Sequence, residues 1–171
     1  MIYTLIESKH PLLHSPLPEI TAETEPKDRL ELTNNIAETM KHYGGIGLSA
    51  NQVGIALRMF VFGDGKHFIP CFNPKILEWS EDTTYMREGC LSFPGLWIAI
   101  ERAKSVAIKF QVFDGEEQAG SMTDLSARVF QHESEHMDGD LFIDNVTNFK
   151  LKSAMRKRNI NLRKLKKQNK K

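Results

Sequence analysis

Between Thr123 and Gly139 the chain carries the pattern of an amphipathic helix whose inward face ends in two histidines. Leu125, Val129, His132 and His136 keep the i, i+4, i+7, i+11 spacing of one helical face. Gly139 then supplies a residue able to take the left-handed conformation that closes a helix. This feature restricts the fold more than any other. A helix with two inward imidazoles needs layers around it that bury the stripe and satisfy the polar rings. Histidines four apart project together, so both can bind one metal ion. Glu133, in His132-Glu133-Ser134-Glu135-His136, stands where a carboxylate reaches a water at that ion. The competing reading is a pair of core histidines satisfied by hydrogen bonds.

The rest of the pattern predicts an α+β domain: antiparallel or mixed β-sheets around the central HExxH-bearing helix, with an N-terminal helix and a basic C-terminal helix or tail. Residues 1–23 read as an irregular arm, because Pro11, Pro16 and Pro18 interrupt regular structure. A helix is expected from near Pro26, with Leu32, Ile36, Met40 and Tyr43 on one face and Gly44-Gly45 at its end. Strands are expected at Arg58–Phe62, Phe68–Phe72, Ile76–Trp79, Trp97–Ile100 and Val106–Val112, with a hairpin turn at Asp114-Gly115. With 171 residues, 40% of them hydrophobic, the chain has material for one modest core. No apolar run approaches the ~20 residues of a membrane helix. The start lacks the basic and apolar blocks of a secretory signal and the Arg- and Ser-rich character of a transit peptide, so the chain is expected to be cytosolic or already processed.

Charge divides the chain in two. Residues 1–149 hold 12 Lys and Arg against 22 Asp and Glu, whereas residues 150–171 hold 11 Lys and Arg and no acid. We expect a single catalytic domain over 1–149 and a basic, helical tail over 150–171. Leu151, Met155, Leu162 and Leu165 would lie on one face of that tail. A purely basic tail suits an anionic partner, nucleic acid first; the alternative is a solvated end.

Two cysteines cannot form a disulfide scaffold. Beyond Asp144 there is no Asp, Glu, His or Cys, so a third metal ligand must come from upstream or from Asp138, Asp140 or Asp144. Cys90 is attractive because Glu88-Gly89-Cys90-Leu91-Ser92-Phe93-Pro94-Gly95 places a thiol in a Gly- and Pro-bounded turn. Cys71, inside an apolar run, reads as a core thiol. A third segment, Gly45-Ile46-Gly47-Leu48-Ser49-Ala50-Asn51-Gln52, has glycines that let backbone approach a ligand. It lacks the lysine of a phosphate-binding loop.

Together these segments resemble the peptide deformylase family, whose motifs have the form GxGLAAxQ, EGCLS and QHExDHxxG. They stand here at Gly45–Gln52, Glu88–Ser92 and Gln131–Gly139, in that order. Ser49 occupies a usual Ala position and Glu135 a usual Asp position. The resemblance implies hydrolysis of the N-formyl group of formylmethionyl nascent peptides, releasing formate, by a metal-bound water with Glu133 as general acid/base. It implies Cys90, His132 and His136 as ligands of one divalent ion, natively Fe2+, with Zn2+, Ni2+ or Co2+ as substitutes. The Gln52 side-chain amide and the Leu91 backbone N–H would form the oxyanion hole. Gly45, Ile46, Gly47, Gly89, Arg102 and Val129 would meet the peptide. Formylmethionine chemistry implies a bacterial or virus-infected bacterial cytoplasm, or a mature organellar form.

Two other readings use the same residues. A zinc peptidase shares HExxH, but the downstream His of its extended motif is replaced here by Phe142. A nucleic-acid-binding protein would use only the tail. The deformylase reading joins the tail to it by letting residues 150–171 dock on ribosomal RNA, with the enzyme a monomer and no membrane partner.

Overall fold

A computed structural model describes residues 1–23, 25, 27–64 and 66–168, the side chains of 164–168 excepted. The N-terminal arm is irregular apart from one 3-10 turn at Pro11–His14, opened by Pro11, whose missing N–H costs nothing there. The arm is nonetheless tied down. Leu13, Leu17 and Ile20 are buried, and the Leu17 N–H donates to Met137 O at 2.8 Å.

Helix α1 (Arg29–His42) is capped by Asp28, whose carboxylate accepts from the Glu31 N–H at 2.7 Å. Pro26, expected near its start, lies outside the described residues. Ile36 and Met40 are buried and Leu32 partly so, whereas Tyr43 stands 39% exposed at the end of the expected stripe.

Strands β1 (Gly47–Ser49), β2 (Met59–Gly63), β3 (Phe68–Trp79), β6 (Ser105–Gln111) and β7 (Glu117–Thr123) form an antiparallel sheet in the order β1-β2-β3-β6-β7. Strands β4 (Thr83–Gly89) and β5 (Trp97–Ala103) pair as a separate ribbon. The two runs expected at Phe68–Phe72 and Ile76–Trp79 are one strand, β3, with register shifts between Phe72 and Lys75 and between Ile76 and Glu78. Asn73 holds the first irregularity at φ 48°, a region asparagine tolerates. Its amide also grips the arm, accepting from the Ile20 N–H at 2.8 Å and donating to Ile20 O at 2.9 Å. Strands β4 and β7 escape a sequence reading because most of their side chains are exposed, so their pairing rests on the backbone ladder.

Helix α2 (Asp124–Asp138) lies against the large sheet, and Gly139 closes it at φ 79°. Phe130 is fully buried, its ring centroid 5.1 Å from Phe60 and 6.2 Å from both Phe62 and Phe110. The expected inward stripe begins one turn later than its spacing suggested. Leu125 is 51% exposed, because it sits in the first turn, beyond the cover of the core.

Helix α3 (Asn148–Gln168) closes a smaller cluster: Leu151, Ala154 and Met155 pack on Leu96, Ile98, Ile100 and Phe142. Leu162 is partly buried as expected, while the Leu165 side chain lies outside the described set. Arg158 ties α3 to the turn before β5, its Nε donating to Pro94 O at 2.6 Å. Among the described residues no helix is long and apolar enough to cross a membrane.

Candidate functional site

Helix α2 brings His132 and His136 to the gap between the sheet and the β4–β5 ribbon. The turn leaving β4 brings Cys90 to the same gap. One ligand atom from each of these three residues lies within 4.8 Å of the others, and Cys90 Sγ is 3.4 Å from His136 Nε2. No other group of three such side chains is brought together in this way among the described residues. The aspartates left open by the sequence do not join it. Asp138 pairs with Arg58 at 2.8 Å, and Asp144 Oδ2 accepts from the Leu141 N–H at 2.9 Å. Cys71 is fully buried in the main core, and burial pushes its thiol pKa up, as suits a packing residue.

The histidine rings are held in different ways. His136 is 1% exposed, and burial, with the charges of His132 and Arg102, pushes its pKa down, favouring the neutral imidazole that a metal ligand must be. His132 Nδ1 donates to Glu88 Oε2 at 3.1 Å, which leaves Nε2 for the Cys90 thiol; burial would lower the pKa of this ring, but the hydrogen bonds to Cys90 and Glu88 outweigh it and push it up. Glu88 is itself buried. Burial alone would raise its pKa, but donors from His132 and Arg102 outweigh it and bring it down to about 2. Arg128, one turn before His132, donates to the same carboxylate and to Thr84 O.

Arg102 does not stand on the cleft wall, contrary to the expected peptide contact. Its side chain is 5% exposed and all three guanidinium nitrogens donate: Nε and Nη2 to Glu88 at 2.6 and 2.9 Å, and Nη1 and Nη2 to Glu135 at 2.5 and 2.9 Å. The longer Glu135 side chain, at the usual Asp position, thus forms a bidentate pair and also accepts from Asn145 at 2.8 Å. Arg102 is a brace for Glu88.

Glu133 is buried, and its Oε2 has no hydrogen-bond partner. Burial pushes its pKa up to about 7. Gly47 on β1 runs directly beneath it. A Cβ at that position would collide with the Glu133 carboxylate and come within 2.9 Å of Val129 Cγ1. Gln52 is oriented from both ends. Its Oε1 accepts from the Ser49 N–H at 3.0 Å, which turns Nε2 toward Cys90 Sγ at 3.3 Å and Ser92 Oγ at 3.0 Å. The Leu91 N–H donates to no acceptor among the described residues.

A cavity of about 600 Å³ joins these groups. Of the expected site residues, Gln52, Leu91, Cys90, His132, Glu133, Gly45, Ile46, Gly47, Gly89 and Val129 line it, while His136 lies behind it. Sequence reasoning assigned no role to Glu88, Arg128 or Ser92. The signal for Arg128 is its i, i+4 relation to His132, and for Glu88 a charge two residues before the thiol. The donor set of one thiol and two imidazoles, beside an unpartnered buried carboxylate oxygen, fits a divalent transition metal.

The chain matches the family model of polypeptide deformylases over residues 2–152. It is 43% identical over 125 residues to the peptide deformylase of Thermotoga petrophila, spanning 72% of this chain and 76% of that protein. The crystal structure of the Thermotoga maritima peptide deformylase superposes with a TM-score of 0.81 at 37% identity, covering 86% of this chain and 99% of that one. The Met-Ala-Ser-bound deformylase of Acinetobacter baumannii gives 0.79 at 26% identity, covering 85% and 99%.

Proposed function

The chain belongs to the peptide deformylase family, hydrolases of N-formylmethionyl peptides, and from that premise we propose that Cys90, His132 and His136 hold one divalent ion beside which Glu133 moves the proton. The observation that carries this reading is the meeting of one thiol and two imidazoles next to a buried carboxylate whose Oε2 is unpartnered. Thiolate and imidazole ligands suit both Fe2+ and Zn2+, and the resemblance favours Fe2+. Such an ion supplies Lewis acidity, which lowers the pKa of water from 15.7 toward ~7 and draws electron density from the formyl oxygen.

The chain's own groups do the rest. Glu133 takes a proton from the attacking water as its oxygen bonds to the formyl carbon. Negative charge gathers on the formyl oxygen, where the Gln52 amide and the Leu91 N–H donate to it. Loss of one such donor typically costs ~10²–10³ in rate. Glu133 then gives its proton to the amine nitrogen as the C–N bond breaks, leaving formate and a free amino terminus. Ile46, Gly47 and Val129 line the floor that receives the methionine side chain, and Gly45 and Gly89 expose backbone to the peptide. The Met-Ala-Ser peptide of the Acinetobacter baumannii protein is of the kind this reaction leaves behind.

The reading sets the reaction in the cytoplasm, with the chain a monomer acting on nascent peptides. Residues 1–149 form the catalytic body. The exposed Lys152, Arg156, Lys157 and Arg163 of α3 face outward for ribosomal RNA. The test is formate release from a formyl-Met tripeptide under anaerobic conditions, paired with metal analysis. We expect turnover that a chelator abolishes and Fe2+ restores, with about one ion per chain. Turnover indifferent to chelation, in a chain free of metal, would refute it.

A further inference from the structure

Asn51 stands at the open position of the GxGLAAxQ pattern, and the reaction as derived gives it no part. It is nonetheless completely buried, and its amide is used at both ends. Nδ2 donates to His136 O at 2.9 Å and, more weakly, to Leu12 O at 3.4 Å, while Oδ1 accepts from the Ser49 hydroxyl at 2.8 Å. Carbonyl oxygens only accept, so the amide has one permitted orientation. The bond to His136 O meets a need created where α2 ends. In an unbroken helix the Asp140 N–H, four residues on, would take that carbonyl. Here it donates to Glu135 O at 3.0 Å, as the Gly139 N–H also does. The next carbonyl, Met137 O, has its own donors in the Leu17 N–H and Arg58.

Asn51 and Gln52 are neighbours in the 3-10 turn Ala50–Val53. Gln52 lines the cavity and Asn51 does not. One short turn therefore carries the side-chain amide that faces the cleft and, beside it, a side chain fastened to the backbone of a proposed metal ligand. The donor to a developing oxyanion works only when it is held at the right distance from the reacting carbon, and small displacements are costly. We infer that Asn51 is a positioning residue: by bonding His136 O it fixes the Gln52 amide relative to the cluster of Cys90, His132 and His136. It acts through Gln52 and His136 and touches no peptide. This rests on the deformylase reading and adds to it a residue that reading leaves without a role.

The test compares the wild-type holoenzyme with Asn51→Leu, which keeps the size of the side chain and removes its polar atoms. On formyl-Met-Ala-Ser, kcat is expected to fall roughly ten-fold with KM within about two-fold of wild type, because the Gln52 donor meets charge that exists only in the transition state. The visible absorption of the Co2+-loaded protein, which reports the geometry around the ion, should shift as His136 loses its anchor. A role confined to folding would lower the melting temperature and leave both readings of the folded protein as they were. Asn51→Ser, whose hydroxyl is one bond too short for His136 O, gives the same two readings if Asn51→Leu does not fold. Wild-type kcat and an unshifted Co2+ spectrum in a folded variant overturn the inference alone, and so does a loss confined to KM. A wild type that releases no formate overturns the reading beneath it and the inference with it.

Discussion

His132 donates through Nδ1 to Glu88 Oε2 at 3.1 Å, and the same carboxylate receives Arg102 and Arg128. One buried acid thus fixes the orientation of an imidazole and is held in place by two guanidinium groups. An imidazole hydrogen-bonded at one nitrogen has its tautomer settled, so the other nitrogen carries the lone pair a metal requires.

Glu88→Gln should keep the shape and lose the charge. Removal of such a partner commonly costs 10–100-fold in metal affinity or activity. It also leaves two buried cations with a weaker acceptor, so the melting temperature should fall too. Metal content after dialysis, read beside a thermal melt, checks both effects. Full metal retention would mean that the orientation of His132 does not depend on Glu88.

Glu133→Gln is expected to bind metal as the wild type does while losing roughly 10²–10⁴ of the formate-release rate, the usual worth of a positioned proton carrier. Metal analysis and a formate assay on one preparation separate the two. Retained turnover would remove Glu133 from its role.

Gly47→Ala places a methyl group where the Glu133 carboxylate and Val129 already lie. The variant should fold, since Gly47 carries no positive φ, and should lose at least ten-fold in kcat as the carboxylate is displaced. Wild-type kinetics in a folded Gly47→Ala protein would show that the carboxylate has another place to go.

The basic helix calls for charge reversal in place of truncation, because Leu151, Ala154 and Met155 close a core cluster and Arg158 holds the Pro94 turn. Replacing exposed Lys152, Arg156 and Arg163 with Glu should abolish co-sedimentation with ribosomes and leave short-peptide turnover as it was. Undiminished co-sedimentation would end the docking proposal.

Periodicity made the central helix legible, because His132 and His136 sit on the same repeat as Val129. Leu125 broke the rule, since spacing shows a face but not where the covering layer stops. Strand β6 was readable from Val106, Ile108 and Phe110, all buried on one side. Strands β4 and β7 were not, because a ladder held by backbone hydrogen bonds leaves no apolar alternation to find.

By itself the amino-acid order determined which donors this protein owns and the local geometry of those on one helix, because a repeat of 3.6 residues acts within a few turns. Only the tertiary structure decided that Cys90, 42 positions before His132, reaches the imidazoles, and that Arg102 turns from the cleft to brace Glu88. Those choices depend on how sheet, ribbon and helix pack together. They also depend on the cost of leaving a buried charge unpaired, which no spacing along the chain records.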